Sequence, residues 1–280
     1  MRLYRPLQPP IIQQNIMDSN YKYNEYLPSS SLMRYVACYW TVDIRASDTS
    51  VEHRVIPDGC LDIIFDLRPS SVSSAAFITG FMPGYEVMRL SEDRSLFGIR
   101  FYLETVHRVL KQPASSFVGD RVLLEDVWGM EGRLWSEHIL SAGVAAASII
   151  PIVESKLKAW FAASDTAKNL DSVVQSGMEY MYASRGNLSI GALADKLSYS
   201  ERHLRRTFQQ ALGISPKELL HIIKFQSVLL NLVHFPPSRF AEIAAQHGYY
   251  DQSHLIHSFN RYYGLPPSQI FKTAHSNEAT

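Results

Sequence analysis

The chain holds only two cysteines, Cys38 and Cys60, in 280 residues. That excludes a disulfide-stapled scaffold and any four-cysteine zinc site. Both sit in apolar, strand-like stretches and read as small buried hydrophobes. An excess of one charge is equally lacking: 27 Lys and Arg face 27 Asp and Glu, so no overall field draws the molecule to nucleic acid or to an anionic membrane. Any affinity for DNA must be local. No run of about 18 uncharged apolar residues occurs, and the opening Met1-Arg2-Leu3-Tyr4-Arg5-Pro6 leads into Pro and Gln where a signal peptide would have an apolar core. A cytoplasmic protein with no membrane partner is expected. Also missing are a phosphate-binding glycine loop, a Gly-x-Ser-x-Gly elbow and a Cys-x-x-Cys pair. The chain is therefore not expected to be an enzyme or to carry a cofactor.

At this length two folding units of ordinary size are expected, in an α+β arrangement. From about Ser31 to Phe101 the residues favour strands. Arg34 to Val42, Leu61 to Leu67 and Ser95 to Phe101 are rich in β-branched and aromatic side chains, and turn signals stand between them at Pro57-Asp58-Gly59, Arg68-Pro69-Ser70-Ser71 and Pro83-Gly84. Short strands so punctuated predict a small barrel or sandwich. Beyond Phe101 the pattern turns helical over Leu103–Leu110, Leu123–Leu140 and Val144–Phe161. The small polar stretch 163–170 reads as a linker. It separates a regulatory unit, residues 1–162, from a helical unit, 171–272, and a tail, 273–280. From residue 171 onward ten Lys and Arg stand against eight Asp and Glu, with seven of the ten histidines.

The helical unit contains a repeat. Ile190-Gly191-Ala192-Leu193-Ala194 precedes a turn, then Leu204, Phe208, Gly213 and Pro216. Phe240-Ala241-Glu242-Ile243-Ala244 precedes a turn, then Leu255, Phe259, Gly264 and Pro267 at identical intervals. Each copy has the grammar of a helix-turn-helix: a short helix ending in alanine, a turn, and a second helix opened by a capping side chain, Ser200 or Asp251. The Leu and Phe form the buried stripe and the Gly stops the helix.

The opposite faces are free to meet double-stranded DNA. Arg202, Arg205 and Arg206, three and four residues apart, project to one side of the first copy, and Arg suits guanine edges and phosphates. The second copy offers Gln252, Ser253, His254, His257 and Ser258, a mixed donor and acceptor set. Three arginines on an amphipathic helix would by themselves read as a solvated face; the duplication is what favours a DNA contact. Between the copies, Ser215-Pro216-Lys217-Glu218 is a capping box with Pro at the first helical position. It opens a buried connecting helix, Leu219–Val233. About 18 residues at 1.5 Å each span roughly 27 Å, which suits recognition helices in major-groove segments about 34 Å apart.

Over about residues 171–272 the chain resembles the AraC family of bacterial transcription regulators. The stretch Gly248 to Ser268, Gly-Tyr-Tyr-Asp-Gln-Ser-His-Leu-Ile-His-Ser-Phe-Asn-Arg-Tyr-Tyr-Gly-Leu-Pro-Pro-Ser, follows the family signature almost residue for residue. The resemblance implies a monomeric DNA-binding domain with both recognition helices in the major groove. Contacts then fall at Arg202, Arg205 and Arg206, and at Gln252, Ser253 and His257. His257 stands where relatives often carry Arg, and Asn260 where they often carry Lys or Arg, so weaker phosphate affinity is implied for the second helix.

The front half is similar to the cupin-like sensor domain that precedes this domain in some members, through Tyr39-Trp40, Arg54 to Gly59, Leu61 to Phe65, the Gly80 turn and Phe97 to Phe101. Tyr102-Leu103 replaces the Pro-Gly that many relatives have there. Such domains bind a small-molecule effector or pair two subunits, here through residues 1–162, and an activator also meets RNA polymerase. Trp40, His53, Arg54 and Arg100 are the candidates for an effector pocket. His53, Asp58 and Asp62 could be imagined as cupin metal ligands, but a single histidine there argues against a metal, and Asp58 reads as a turn residue. The competing reading is a cupin-like small-molecule-binding or metal-dependent enzyme with a helical interaction tail.

Overall fold

The computed structural model describes residues 4–12, 21–45, 51–90, 92–110, 112–119, 121–164, 172–235 and 239–271. Among the described residues, eight strands build the front of the chain: β1 (Tyr21–Tyr26), β2 (Val36–Ile44), β3 (Val51–Val55), β4 (Cys60–Asp66), β5 (Ala76–Thr79), β6 (Glu86–Leu90), β7 (Arg94–Tyr102) and β8 (Arg121–Leu123). Six form an antiparallel sheet in the order β1-β2-β7-β4-β5-β8, and β3 pairs with β6 in a separate ribbon. The side-chain period of two divides the large sheet sharply. Tyr39, Ile63, Phe65, Phe97, Ile99 and Phe101 point into the main core, while Cys38, Trp40, Val42, Ile64 and Phe77 form a second cluster on the other face. The two faces are thus both buried, which explains the near-continuous apolar runs in β2 and β4.

Two strands lie outside the stretch expected from sequence. β1 breaks its alternation after Tyr23, since Glu25 takes the next inward place, and β8 has only three residues. Arg34 and Tyr35, expected at the start of a strand, lie in a turn held by Tyr35 N–H donating to Leu32 O at 2.8 Å. Gly98 on β7 faces Trp40 on β2, and a Cβ there would meet the indole at 1.9 Å. Only glycine lets the ring lie flat on the sheet at that point.

The helices are α1 (Pro9–Ile12), α2 (Leu124–Trp128), α3 (Met130–Ser141), α4 (Ala146–Ser164), α5 (Ser172–Ala183), α6 (Ile190–Leu197), α7 (Glu201–Leu212), α8 (Pro216–His234), α9 (Phe240–Gln246), α10 (Gln252–Tyr262) and α11 (Pro267–Ile270). The single helix expected over 123–140 is two, because Gly129 adopts φ 60° and breaks it where other residues would resist. Leu103–Arg108 is a 3-10 helix. The expected linker, 163–170, begins in the last turn of α4 and otherwise lies outside the described residues, as does the tail 273–280. No helix among the described residues is long and apolar enough to cross a membrane.

The front and rear of the chain share one continuous core. Its polar joints are specific. Gln226, buried in the middle of α8, donates to Leu7 O and Pro57 O and accepts from Leu7 N–H. Tyr182 of α5 donates to Glu104 Oε2 at 3.0 Å, and its ring stacks on Tyr4 at 4.6 Å. Buried amide and hydroxyl groups persist in such a setting only when their bonds are made.

Candidate nucleic-acid interface and front cavity

Each helix-turn-helix is assembled by local chemistry. In the first, Ser198 takes a left-handed conformation at the end of α6, with φ 58°. Ser200 Oγ then accepts from His203 N–H at 3.2 Å to open α7. In the second, Asp251 Oδ1 accepts from His254 N–H at 2.8 Å to open α10. Leu204, Phe208 and Leu212 bury one side of α7, and Leu255, Phe259 and Tyr262 bury one side of α10. A cap and an apolar stripe are enough to fix both the start and the rotation of a helix.

That rotation decides which polar residues face outward. Arg202, Arg205 and Arg206 are all exposed on α7, and Gln252, Ser253, His254 and His257 are exposed on α10. Ser258 is not: it is buried, and its hydroxyl shares a 3.2 Å hydrogen bond with Tyr249 Oη. The expected place of Ser258 on the free face is therefore corrected. It lies three residues after Leu255, on the buried stripe itself.

Sequence reasoning passed over further residues at this surface. Tyr250 precedes the cap of α10 and is 94% exposed, and Tyr199 holds the matching place before α7, where it stacks on His203 at 4.6 Å. His221 and Lys224 of α8 lie beside His254, His257 and Arg261. Counting back from the Gly stops of the two copies would have found the paired tyrosines. The α8 residues are brought in only by tertiary packing.

The four residues proposed for a pocket, Trp40, His53, Arg54 and Arg100, line one cavity of about 300 Å³ between the large sheet and the β3–β6 ribbon. Arg100 is held there by three carboxylates. Its Nη2 donates to Asp62 Oδ2 at 2.9 Å, its Nε lies 3.2 Å from Asp58 Oδ2, and its Nη1 is 3.9 Å from Glu25 Oε1. Trp40 Nε1 also donates to Asp62, at 3.0 Å. Burial pushes the Asp58 carboxyl up to about 6, against the opposing pull of Arg100. Asp58 does accept from Cys60 N–H as a turn residue would, at 3.0 Å, but it also takes Gln8 Nε2 at 2.8 Å. It is a buried anchor as much as a turn former. His53 shares a 2.7 Å hydrogen bond with Tyr21 Oη, and burial, aided by Arg100, lowers its pKa to about 4. No cluster of three or more metal-binding side chains occurs among the described residues.

The joints between front and rear converge on the two recognition helices at matching points. A Cβ on Gly213, which stops α7, would strike Val118 and Ser115, and one on Gly264, which follows α10, would strike Tyr85 and Arg54. Both glycines have positive φ, 75° and 81°.

Residues 193–273 match the family model described as a helix-turn-helix domain, and residues 24–123 match a domain of unknown function, DUF6597. An uncharacterized HTH-type transcriptional regulator of Haemophilus influenzae is 36% identical over 84 residues, and the match spans 30% of this chain and 28% of that relative's length. The C-terminal domain of AraT, a response regulator from Geobacillus stearothermophilus, is 28% identical with a TM-score of 0.32, over 37% of this chain and 86% of that one. An apo ToxT variant from Vibrio cholerae is 14% identical with a TM-score of 0.45, over 90% and 97% of the two chains. Unsaturated fatty acid bound wild-type ToxT is 12% identical with a TM-score of 0.42, over 92% and 97%. Superpositions this loose carry no residue from one chain to the other. The rear of the molecule is a double helix-turn-helix domain. Its residues 193–273 are thus similar to helix-turn-helix domains, and residues 24–123 in front to the DUF6597 domain.

Proposed function

We propose that this protein is a sequence-specific DNA-binding transcription regulator, working as an activator, whose front domain senses a small molecule. The single observation that carries the DNA reading is the pairing of two capped recognition helices, each with its polar side chains exposed on the face opposite its core. On α7 that face is three arginines, a phosphate- and guanine-reading set. On α10 it is Gln252, Ser253, His254 and His257, donors and acceptors suited to base edges and phosphates. The division at 163–170 separates the reading domain from the sensing one.

The sensing role is supported by the cavity behind Trp40, His53, Arg54 and Arg100, whose walls Ile64, Phe77 and Met88 are apolar. A concave, mainly apolar space with a few placed polar groups is what small ligands need. For pairing of two subunits through residues 1–162, α3 offers Met130 and Leu134, 66% and 56% exposed. An activator would also touch RNA polymerase.

The test is binding to the DNA upstream of the protein's own gene, followed by gel shift, with a scrambled duplex as control. A shift on the first at concentrations that leave the second free is expected. Equal affinity for both at every salt concentration would refute sequence-specific reading.

A further inference from the structure

The second helix-turn-helix differs from the first at one matched position. Counted from the caps, His257 follows Asp251 by the same six residues that separate Arg206 from Ser200. A permanent cation in one copy is thus replaced by an imidazole in the other, and both side chains are exposed. Beside His257 lies a notch of about 130 Å³ between α8 and α10, lined by His221 and Lys224 from α8, His254, His257 and Arg261 from α10, and Tyr249 from the turn before it.

The fixed charges of this notch are largely committed. Lys224 Nζ donates to Gly248 O at 3.0 Å and lies over the Tyr249 ring. Arg261 Nη2 donates to Glu218 Oε1 at 2.7 Å, an oxygen that also takes the Tyr262 hydroxyl at 2.9 Å. By contrast, neither His221 nor His257 has a hydrogen-bond partner among the described residues. His221 is held below its ordinary pKa by burial, with Lys217, Lys224 and Arg261 adding repulsion and Glu218 opposing it. The notch is therefore a cationic hollow lined by three imidazoles, those of His221, His254 and His257.

We propose that this notch seats a backbone phosphate of duplex DNA, with His257 and His221 taking up a proton as it binds. The second helix-turn-helix then grips DNA more tightly as pH falls. The inference rests on the DNA-binding reading above. Its physical basis is that a phosphate within hydrogen-bond reach stabilises the imidazolium form. The groups that face the two imidazoles are Lys217, Glu218 and Lys224 on α8, His254, Arg261 and Tyr262 on α10, and Tyr249. Among these only His254 is another imidazole, so substitutions must separate it from the pair.

The experiment measures affinity of the full chain for a random duplex of roughly 24 base pairs, long enough for two successive major-groove turns, at pH 6 and pH 8 over a salt series. About tenfold tighter binding is expected at pH 6, with a log–log salt slope steeper by about one. His257→Arg should bind at pH 8 about as tightly as the unaltered protein at pH 6. The double variant His221→Gln with His257→Gln should stay weak at both. Inorganic phosphate at millimolar concentration should leave the His257 ring resonances in place, while duplex shifts them downfield. Equal affinity at the two pH values, or full pH dependence surviving in the double variant, overturns the notch and leaves DNA binding standing. A phosphate-induced shift as large as that from duplex also overturns it, since the hollow would then be a free-anion site. No duplex binding at either pH overturns the DNA reading and the notch together.

Discussion

Arg54 of β3 donates a guanidinium hydrogen bond to the backbone carbonyl of Tyr263, 209 residues away, just past the end of α10. Its guanidinium also lies over the rings of Tyr85 and Tyr263, at 5.4 and 5.6 Å. The same residue lines the front cavity, so one side chain touches both the proposed sensing space and the proposed reading head. The first recognition helix has its own joint, Ser115 Oγ donating to Gln210 O at 3.0 Å, with no residue of the cavity wall in it.

Removing that side chain gives the first prediction. Arg54→Ala leaves the Tyr263 carbonyl without its charged donor, a loss of roughly 1.5–3 kcal/mol for a hydrogen bond to a charged group. Amide hydrogen exchange should quicken over residues 259–264 and stay as it was over 208–213. Unchanged exchange at the second recognition helix would mean that Arg54 does not hold it.

The two polar faces make separable demands on DNA. Arg205→Ala and Gln252→Ala should each weaken binding to the upstream site by roughly 1–3 kcal/mol and relax preference for one base pair. Arg206→Ala should weaken binding to every sequence and reduce the salt slope by about one unit. Fluorescence anisotropy with a set of single-base variants of the site distinguishes these patterns. If Arg205→Ala and Gln252→Ala bind as the parent does, the assigned faces are wrong.

Gly98 is predicted to tolerate no side chain. Its Cβ would overlap the Trp40 indole, with the nearest approach at 1.9 Å, and the indole is buried and hydrogen-bonded to Asp62. Gly98→Ala should cost about 1–3 kcal/mol as an overpacked core, lowering Tm by several degrees and shifting Trp fluorescence. A variant with parental Tm and emission would show that the sheet yields at this point.

Asp58 and His53 should oppose one another in acid. Asp58 has a folded pKa raised to about 6, from an ordinary value near 3.9, so the stability tied to it is present at low pH and lost as pH rises toward 6. His53 has a folded pKa lowered to about 4, from an ordinary value near 6.5, so its contribution is present above pH 6.5 and lost as pH falls toward 4. The parent should therefore change little in stability between pH 6.5 and 4 on their account. His53→Gln should become more stable relative to the parent, by roughly 2–3 kcal/mol, over that same fall in pH. Urea unfolding at several pH values checks this, and a constant difference between variant and parent would refute it.

The helix-turn-helix copies were legible in the chain because their signals are local. Ser200, Asp251, Gly213 and Gly264 act within one helical turn, and Leu204, Phe208, Leu255 and Phe259 announce the buried side by spacing alone. The misplacement of Ser258 came from reading polarity before period. In the front half, Trp40, His53, Arg54 and Arg100 stood out as unusual side chains in apolar strands, but their carboxylate partners Asp58 and Asp62 looked like turn and strand-end residues. β1 and β8 escaped because one breaks its alternation with an inward Glu25 and the other is three residues long.

By its order of residues alone, then, the chain determined two capped helical pairs with an arginine face and a glutamine-histidine face, a β-rich front, and cysteines without a bridge. Caps, stripes and positive-φ glycines act over a few residues, and so they can be read in one dimension. Tertiary structure alone decided that Arg54 meets Tyr263, that Gln226 is tied to Leu7 and Pro57, that three carboxylates surround Arg100, and that His221 stands beside His257. Those contacts join residues tens to hundreds of positions apart. They are selected by how sheet, ribbon and helices exclude water together, which no local pattern encodes.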